Sequence, residues 1–420
     1  MVRPILDENI CLRCKGSRLL CGKVQCPILV KQQSIIPLKL VEIGRELYGS
    51  SPPSIFVGHN FYPNVLVGPM VPPTLGQGPE ITLLDEPDFW YGKPINELIG
   101  LRTSLIRTAF RSNVRELTSS KLMELSQEII MAHVPVDTEV KLEKEPQIRM
   151  LYDPHSPPLG PTARLDKLRI TSNPKVDPKV DKVVDDSDLK STLALDYLYE
   201  NNFTVTNLNR LLSAGLLGVK KNRKLVPTRW SITAVDDTIS KNIIREIKYF
   251  QEISKYLVFQ NKYLDNNFVI ILIPREWSFE NTEAWFSKSA FNPSNKHIMA
   301  QDHELYDGRK NYASNVTGAY YAARLAVTEY LKSIKRQSAC VIFREVSGGY
   351  IAPLGVWVIR ETVRKAFERS PKEFETLNDA LKEASRYLKI PMKQWINKSK
   401  LIKYLKKQKR LVDYFKFKNE

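Results

Sequence analysis

Apolar positions recur along this chain in two registers, short unbroken runs and stripes of period 3.6, so the pattern predicts strands and helices interleaved. Ile55-Phe56-Val57 and Val65-Leu66-Val67 read as buried strands joined through a turn at Gly58-His59-Asn60, with the polar residues at the tip. Residues 95–132 show helical periodicity, which sets Arg102, Arg107, Arg111 and Arg115 on neighbouring turns, either to grip phosphates or to form a solvated, salt-bridged face. Residues 188–200 and 204–214 read as two short helices, each with Asp, Ser or Thr near its start. Residues 215–233 then look like a hairpin with Lys220-Lys221-Asn222-Arg223-Lys224 at its tip. Two helices followed by a basic hairpin is the local order of a winged helix, which makes Lys220, Lys221, Arg223 and Lys224 candidate DNA contacts. Further on, residues 249–258 are predicted helical and Phe268-Val-Ile-Ile-Leu-Ile273 a central strand. Residues 315–334 form a strong helical span, residues 340–345 and 350–358 suggest a hairpin around Gly348-Gly349, and residues 372–407 are helical with a break at Pro391.

These elements predict an α+β fold. A mixed helix and strand core is joined by an N-terminal zinc knuckle, a winged-helix-like segment and a C-terminal helical region with a flexible tail. The divisions fall at 1–33 (knuckle), 34–170 (mixed N-terminal domain), 171–188 (polar connector with two prolines), 189–371 (mixed core), 372–407 (basic helices) and 408–420 (tail).

Charge adds a partner class. Lys and Arg number 63 against 46 Asp and Glu, a formal net charge of +17, and a surplus that large favours a polyanion such as DNA. Residues 372–420 hold 14 Lys and Arg against 6 Asp and Glu, so nearly half of the surplus is concentrated there. No window approaches eighteen consecutive apolar residues and the N-terminus has no signal-type run, so no membrane partner is expected and the chain should be cytoplasmic, associated with the nucleoid.

Four of the five cysteines, Cys11, Cys14, Cys21 and Cys26, lie within sixteen residues, while Cys340 sits alone in an apolar run. So tight a segment has no hydrophobic core of its own, and a tetrahedral zinc on four thiolates would supply the missing folding energy. An iron–sulfur cluster takes the same four ligands, and spacing alone does not separate the two. Four sulfur ligands leave no position for water, so the expected role is structural.

The C-terminus reads Gln408-Lys-Arg-Leu411-Val-Asp-Tyr414-Phe415. In one helical turn Leu411, Tyr414 and Phe415 share a face and form an apolar plug, with Gln408 at its rim. The pattern resembles the PIP box by which repair and replication proteins dock on the sliding clamp PCNA. The alternative is that these rings pack on the chain's own core.

Candidate chemistry is thinner. His59, His155 and His303 sit in turn-like polar settings, and Asp236-Asp237 and Asp302-His303-Glu304 supply carboxylates. A two-metal nuclease needs such groups clustered around Mg or Mn, so His59, Asp236, Asp237, Asp302 and His303 are the catalytic candidates if they converge. No phosphate-binding P-loop and no dinucleotide-binding glycine fingerprint occurs, which argues against an ATP motor.

The cysteine knuckle, the stretch from Ser51 through Gly58-His59-Asn60 to Val65, Arg229-Trp230-Ser-Ile-Thr-Ala-Val-Asp236-Asp237-Thr, Pro353-Leu-Gly-Val-Trp-Val-Ile-Arg360-Glu-Thr and the terminal motif together resemble the Nre family of archaeal DNA repair proteins. The likeness covers nearly the whole chain. It implies a repair process and contact with PCNA, and it implies no particular reaction. The expected function is a DNA repair factor that binds DNA and is recruited by PCNA; the alternative is a metal-dependent nuclease or other enzyme on damaged DNA, recruited by the same tail.

Overall fold

The computed structural model describes residues 44–408 except 74–78, 119, 148–157, 288, 290, 291 and 293, together with Cys14, residues 18–20, Cys26 and Leu29. Cys11, Cys21, His155, Leu411, Tyr414 and Phe415 lie outside the described residues. The mixed α+β expectation holds, with twelve strands in two six-stranded sheets among the described residues.

In the N-terminal half, β1 (Glu46–Ser51), β2 (Ile55–Val57), β3 (Asn64–Val71), α1 (Pro79–Leu83), α2 (Ile95–Thr103), β4 (Ile106–Asn113), α3 (Lys121–Met131), β5 (Val136–Leu142) and β6 (Thr162–Ile170) follow in order. They give a sheet of order β1-β5-β6-β4-β3-β2, antiparallel except for the β4/β6 pair. The expected strand-loop-strand unit is β2 and β3, with Val57 opposite Val67. The predicted helix over 95–132 is three elements instead. Ser104 and Leu105 end α2, and from Ile106 the inward residues alternate as Ile106, Thr108, Phe110 and Ser112, which is a strand's period.

Next come α4 (Pro178–Asp185), α5 (Ser191–Glu200), α6 (Val205–Ser213) and the twenty-residue α7 (Thr228–Ile247). The stretch read as a connector therefore contains α4, whose Val180 and Val183 are buried in the core. The expected hairpin of residues 215–233 is absent. Lys220–Asn222 is a single 3-10 turn, and the segment meant to form the returning strand opens α7, whose Trp230 N–H bonds Pro227 O at 2.7 Å. No wing forms.

The C-terminal half builds the second sheet from β7 (Tyr256–Tyr263), β8 (Asn266–Ile273), β9 (Ser278–Trp285), β10 (Ile298–Glu304), β11 (Ala339–Val346) and β12 (Lys372–Phe374), in the order β10-β9-β11-β8-β7-β12. Helix α8 (Gly318–Ser333) crosses from β10 to β11, which returns parallel to β9. Residues 249–258 are not a helix: α7 stops at Ile247 and β7 begins at Tyr256. Residues 350–358 are not a returning strand either, since Gly355 adopts φ 110° and Trp357 opens helix α9 (Trp357–Phe367). The C-terminal helices α10 (Leu377–Ser385), α11 (Met392–Lys398) and α12 (Lys400–Lys407) break at Pro391 as expected.

Both faces of this sheet are covered, which explains its unbroken apolar strands. Phe268, Ile270 and Leu272 of β8 join the large core with α7, α8 and α9, while Val269, Ile271 and Ile273 join a second core with Trp395, Leu401 and Ile402 of α11 and α12. No helix among the described residues is long and apolar enough to cross a membrane.

Candidate nucleic-acid interface

Strand β2 lies at the edge of the first sheet, and its turn into β3 has no room for a core. The turn is held by its backbone, Gly58 N–H to Leu66 O at 2.8 Å and Asn64 N–H to Phe61 O at 2.9 Å. Its aromatic side chains therefore point outward. Phe61 is 73% exposed and Tyr62 43%, and Tyr62 leans on Trp230, itself 46% exposed on the first turn of α7, at 5.3 Å between ring centroids. Thr228 Oγ1 accepts the Val57 N–H at 2.9 Å and so fixes the start of α7 to β2.

Cations interleave with these rings. Arg107 and Arg111 were expected on a helix, yet the strand period also puts residues four apart on one face of β4. The Arg107 guanidinium lies 4.5 Å from the Phe56 ring and that of Arg111 6.0 Å from the Phe61 ring. Burial, with the nearby Arg102 charge adding to it, pushes the Arg107 guanidinium down to about 10. Arg229 Nη1 meets His59 Nε2 at 3.3 Å, and partial burial and then the Arg229 charge lower the His59 pKa. Exposed rings beside guanidinium groups give flat stacking faces and anion-binding charge on one surface, the combination that single-stranded nucleic acid takes up.

The basic 220–224 segment is a different surface. Lys220, Lys221 and Lys224 are exposed, but Arg223 turns inward, donating Nε to Gly218 O at 2.6 Å, Nη1 to Val184 O at 2.7 Å and Nη2 to Asp186 O at 2.9 Å. Its fork closes the C-terminal end of α4 rather than facing a ligand.

The catalytic candidates do not converge. Asp236 is fully buried on α7 with Arg360 Nη1 donating to its Oδ1 at 2.7 Å, and desolvation pushes its carboxyl up to about 6 against the pull of Arg360. Asp237 pairs with Lys241 at 2.7 Å and with Arg324. Asp302 pairs with Arg309 and accepts the N–H groups of Asn315 and Val316 at 2.9 and 2.8 Å, and Glu304 pairs with Arg324 at 2.7 Å. The alternation of β10 sends His303 to the opposite face from Asp302 and Glu304, and His59 stands at the β2–β3 tip. Among the described residues no three His, Cys, Asp or Glu side chains are placed to hold a metal. The physical reason is that each candidate carboxylate already has an arginine, Arg360 for Asp236, Arg324 for Asp237 and Glu304, and Arg309 for Asp302.

Of the four clustered cysteines, Cys14 and Cys26 are buried and outside any disulfide. Leu20 donates its N–H to Cys14 Sγ at 3.4 Å and Arg18 N–H bonds Cys14 O, a tight turn with an amide aimed at sulfur. Cys340 lies buried in β11, where desolvation raises its thiol pKa far from any ligand role. Gln408 is the residue after α12, its N–H on Tyr404 O at 2.9 Å.

Sequence reasoning missed Phe61, Tyr62, Arg229 and Trp230 as site residues. The available signal was large aromatics next to prolines in polar turns, where no core can claim them.

A family model described as archaeal Nre, N-terminal matches residues 20–292, and one described as archaeal Nre, C-terminal matches residues 304–414. DNA repair protein NreB of Archaeoglobus fulgidus is 42% identical over 94% of this chain and 97% of its own length. DNA repair protein NreA of the same organism is 40% identical over 92% and 95%, and NreA of Haloferax volcanii 36% identical over 85% and 86%. No solved structure matches.

Proposed function

The chain belongs to the archaeal Nre family, and from that premise we propose that it is a DNA repair factor that binds DNA and is recruited to the sliding clamp PCNA by its C-terminal motif. The observation that carries the DNA half is the surface of Phe61, Tyr62 and Trp230 with Arg111 and Arg229, because rings this exposed contribute little to the fold and present π-faces to bases. Lys220, Lys221 and Lys224 add sequence-independent phosphate attraction. The recruitment half rests on Gln408, Leu411, Tyr414 and Phe415. Cys11, Cys14, Cys21 and Cys26 hold one structural zinc in this reading, supported by the buried Cys14 and Cys26 thiols and the amide on Cys14 Sγ.

Two double variants separate the halves. Phe61→Ala with Trp230→Ala should weaken single-stranded oligonucleotide binding by at least tenfold in fluorescence anisotropy, since each stacked base contributes about 1–3 kcal/mol, and should leave clamp binding intact. Tyr414→Ala with Phe415→Ala should do the reverse. Unchanged DNA affinity in the first, or unchanged clamp affinity in the second, would remove that half.

A further inference from the structure

Arginines drawn wholly or partly out of solvent come in two kinds in this fold. Arg210, Arg324, Arg344, Arg360 and Arg364 each meet a carboxylate, with Glu86, Glu304, Glu283, Asp236 and Glu329 respectively. Arg102 and Arg107 do not. Their Nε atoms are buried without a hydrogen-bond partner, and among the described residues neither guanidinium is paired with a carboxylate. Asp85, whose charge acts on Arg102, is already held by Arg210 and by Ser54. Two guanidinium groups within each other's field and without counter-charge are costly, and such an arrangement is stable once an anion is supplied.

The surroundings are shaped for one. Gly355 carries φ 110°, and a Cβ there would lie 3.9 Å from Arg102 Nη1, so Arg102 reaches to the turn that opens α9. The N-terminus of α8 meets the same place, since a Cβ on Gly318 would stand 3.1 Å from Val356 Cγ1. Both helices, eleven and sixteen residues long, begin without a side-chain cap, and Thr317 just before α8 holds φ 61°. Two uncapped N-termini direct N–H groups and positive dipole ends at one spot. Beneath it lies Asn281, fully buried, with neither amide atom hydrogen-bonded. Asn281 is the direct cross-strand partner of Asp302, whose carboxylate takes the N–H groups of Asn315 and Val316, so its amide faces the entrance of α8. Gly355 and Asn315 are exposed, which leaves the junction open to solvent.

We propose that the junction of the α8 and α9 N-termini, with Arg102 and Arg107 beside it and Asn281 beneath, binds a phosphate monoester. The group is either the terminal phosphate of a DNA strand or that of a free mononucleotide. Arg107 also borders the stacking surface through Phe56, but Arg102, Asn281 and the two helix N-termini do not, so the proposal does not depend on the DNA reading.

Calorimetric titration of the full-length protein with inorganic phosphate, at ionic strength matched with chloride, should show saturable binding. Arg102→Gln and Arg107→Gln should each weaken it at least tenfold, about 1.4 kcal/mol. Neither variant should unfold the protein, because each removes a charge that has no carboxylate partner. Oligonucleotides of one sequence with a 5′-phosphate or a 5′-hydroxyl, and a deoxynucleoside 5′-monophosphate, identify the source. An Arg102-dependent preference for the phosphorylated strand assigns the strand end, and competition by the mononucleotide with no strand preference assigns the free nucleotide. No saturable phosphate binding, wild-type affinity in both variants, or unfolding of both variants would overturn the site, the last by showing that the arginines are structural.

Discussion

Replacing Arg324 by methionine tests whether the carboxylates of α7 and β10 form a structural ion network or a metal centre in waiting. Arg324 is 1% exposed, donating Nη1 to Glu304 Oε2 at 2.7 Å, Nη2 to Asp237 Oδ1 and Nε to Ser240 Oγ at 3.1 Å, while Tyr320 and Tyr321 flank its guanidinium. Methionine fills the stem and leaves Glu304, 3% exposed, with Trp277 Nε1 at 3.2 Å as its remaining donor. Asp237 is a quarter exposed and keeps Lys241, so its loss is minor. An uncompensated buried charge costs about 3–5 kcal/mol. Adding Glu304→Gln should restore a large part, because the amide keeps the Trp277 bond without the charge, giving a coupling energy of about 1–3 kcal/mol in the double-mutant cycle. Urea unfolding followed by circular dichroism reads all three proteins. A single-variant loss below about 1 kcal/mol, or a double variant no better than the single, would refute the network. Divalent-metal-dependent DNA cleavage lost in Arg324→Met at unchanged stability would reinstate the catalytic reading.

Asp236 sets a pH dependence. Its folded pKa, about 6, lies above its ordinary 3.8, so between these values the unfolded state ionises first and stability falls as pH rises, by about 3 kcal/mol for this group alone; urea midpoints from pH 4 to 7 should decline less in Asp236→Asn, and an equal decline would contradict the assignment. Lys220→Ala with Lys221→Ala should flatten the slope of log affinity against log salt for duplex DNA by up to about two, and an unchanged slope would exclude that turn from the contact. Elemental analysis of protein purified without added metal should give about one zinc per chain, whereas iron, or no metal with the four thiols intact, would overturn the zinc knuckle.

Much of the fold was legible because amphipathic helices and runs such as Phe268–Ile273 carry their own period. The failures share a cause. A strand with residues four apart outward, as Arg107 and Arg111 on β4, satisfies helical spacing over one turn, and only the alternation of Ile106, Thr108 and Phe110 breaks the tie. The basic 220–224 segment was expected as a hairpin tip and is a 3-10 turn, and whether an arginine turns in, as Arg223 does, depends on carbonyls left over at the end of α4, 39 residues away for Val184. The candidate carboxylates were legible as chemistry and not as geometry, since Asp236 and Asp237 take arginine partners from α9 and α8, far along the chain, and only Asp302 finds one nearby, Arg309. The stacking surface escaped for the opposite reason: Phe61, Tyr62 and Trp230 look like core residues by type, and only their turn context argues otherwise.

Net charge alone therefore misstates where this protein attracts polyanions. Arginines paired with carboxylates inside the core cancel locally and contribute little field outside, so the part of the +17 that a ligand meets comes from cations without such partners. Beside the exposed Lys220, Lys221 and Lys224, two groups of such cations stand out among the described residues. One runs from the end of α2 along β4 to the start of α7, where Arg102 reaches Gly355 before α9 and Arg107, Arg111 and Arg229 stand beside Phe56, Phe61 and His59; the other is the lysine-rich α12, tied down by the Lys400 and Leu401 N–H groups on Glu280. On the proposed reading the first combines charge with shape and would discriminate between nucleic-acid ends and interiors. The second has charge with little relief, which draws a polyanion near without choosing among sequences. Losing the second should slow association and steepen its loss with salt less, whereas losing the first should shorten the lifetime of the complex.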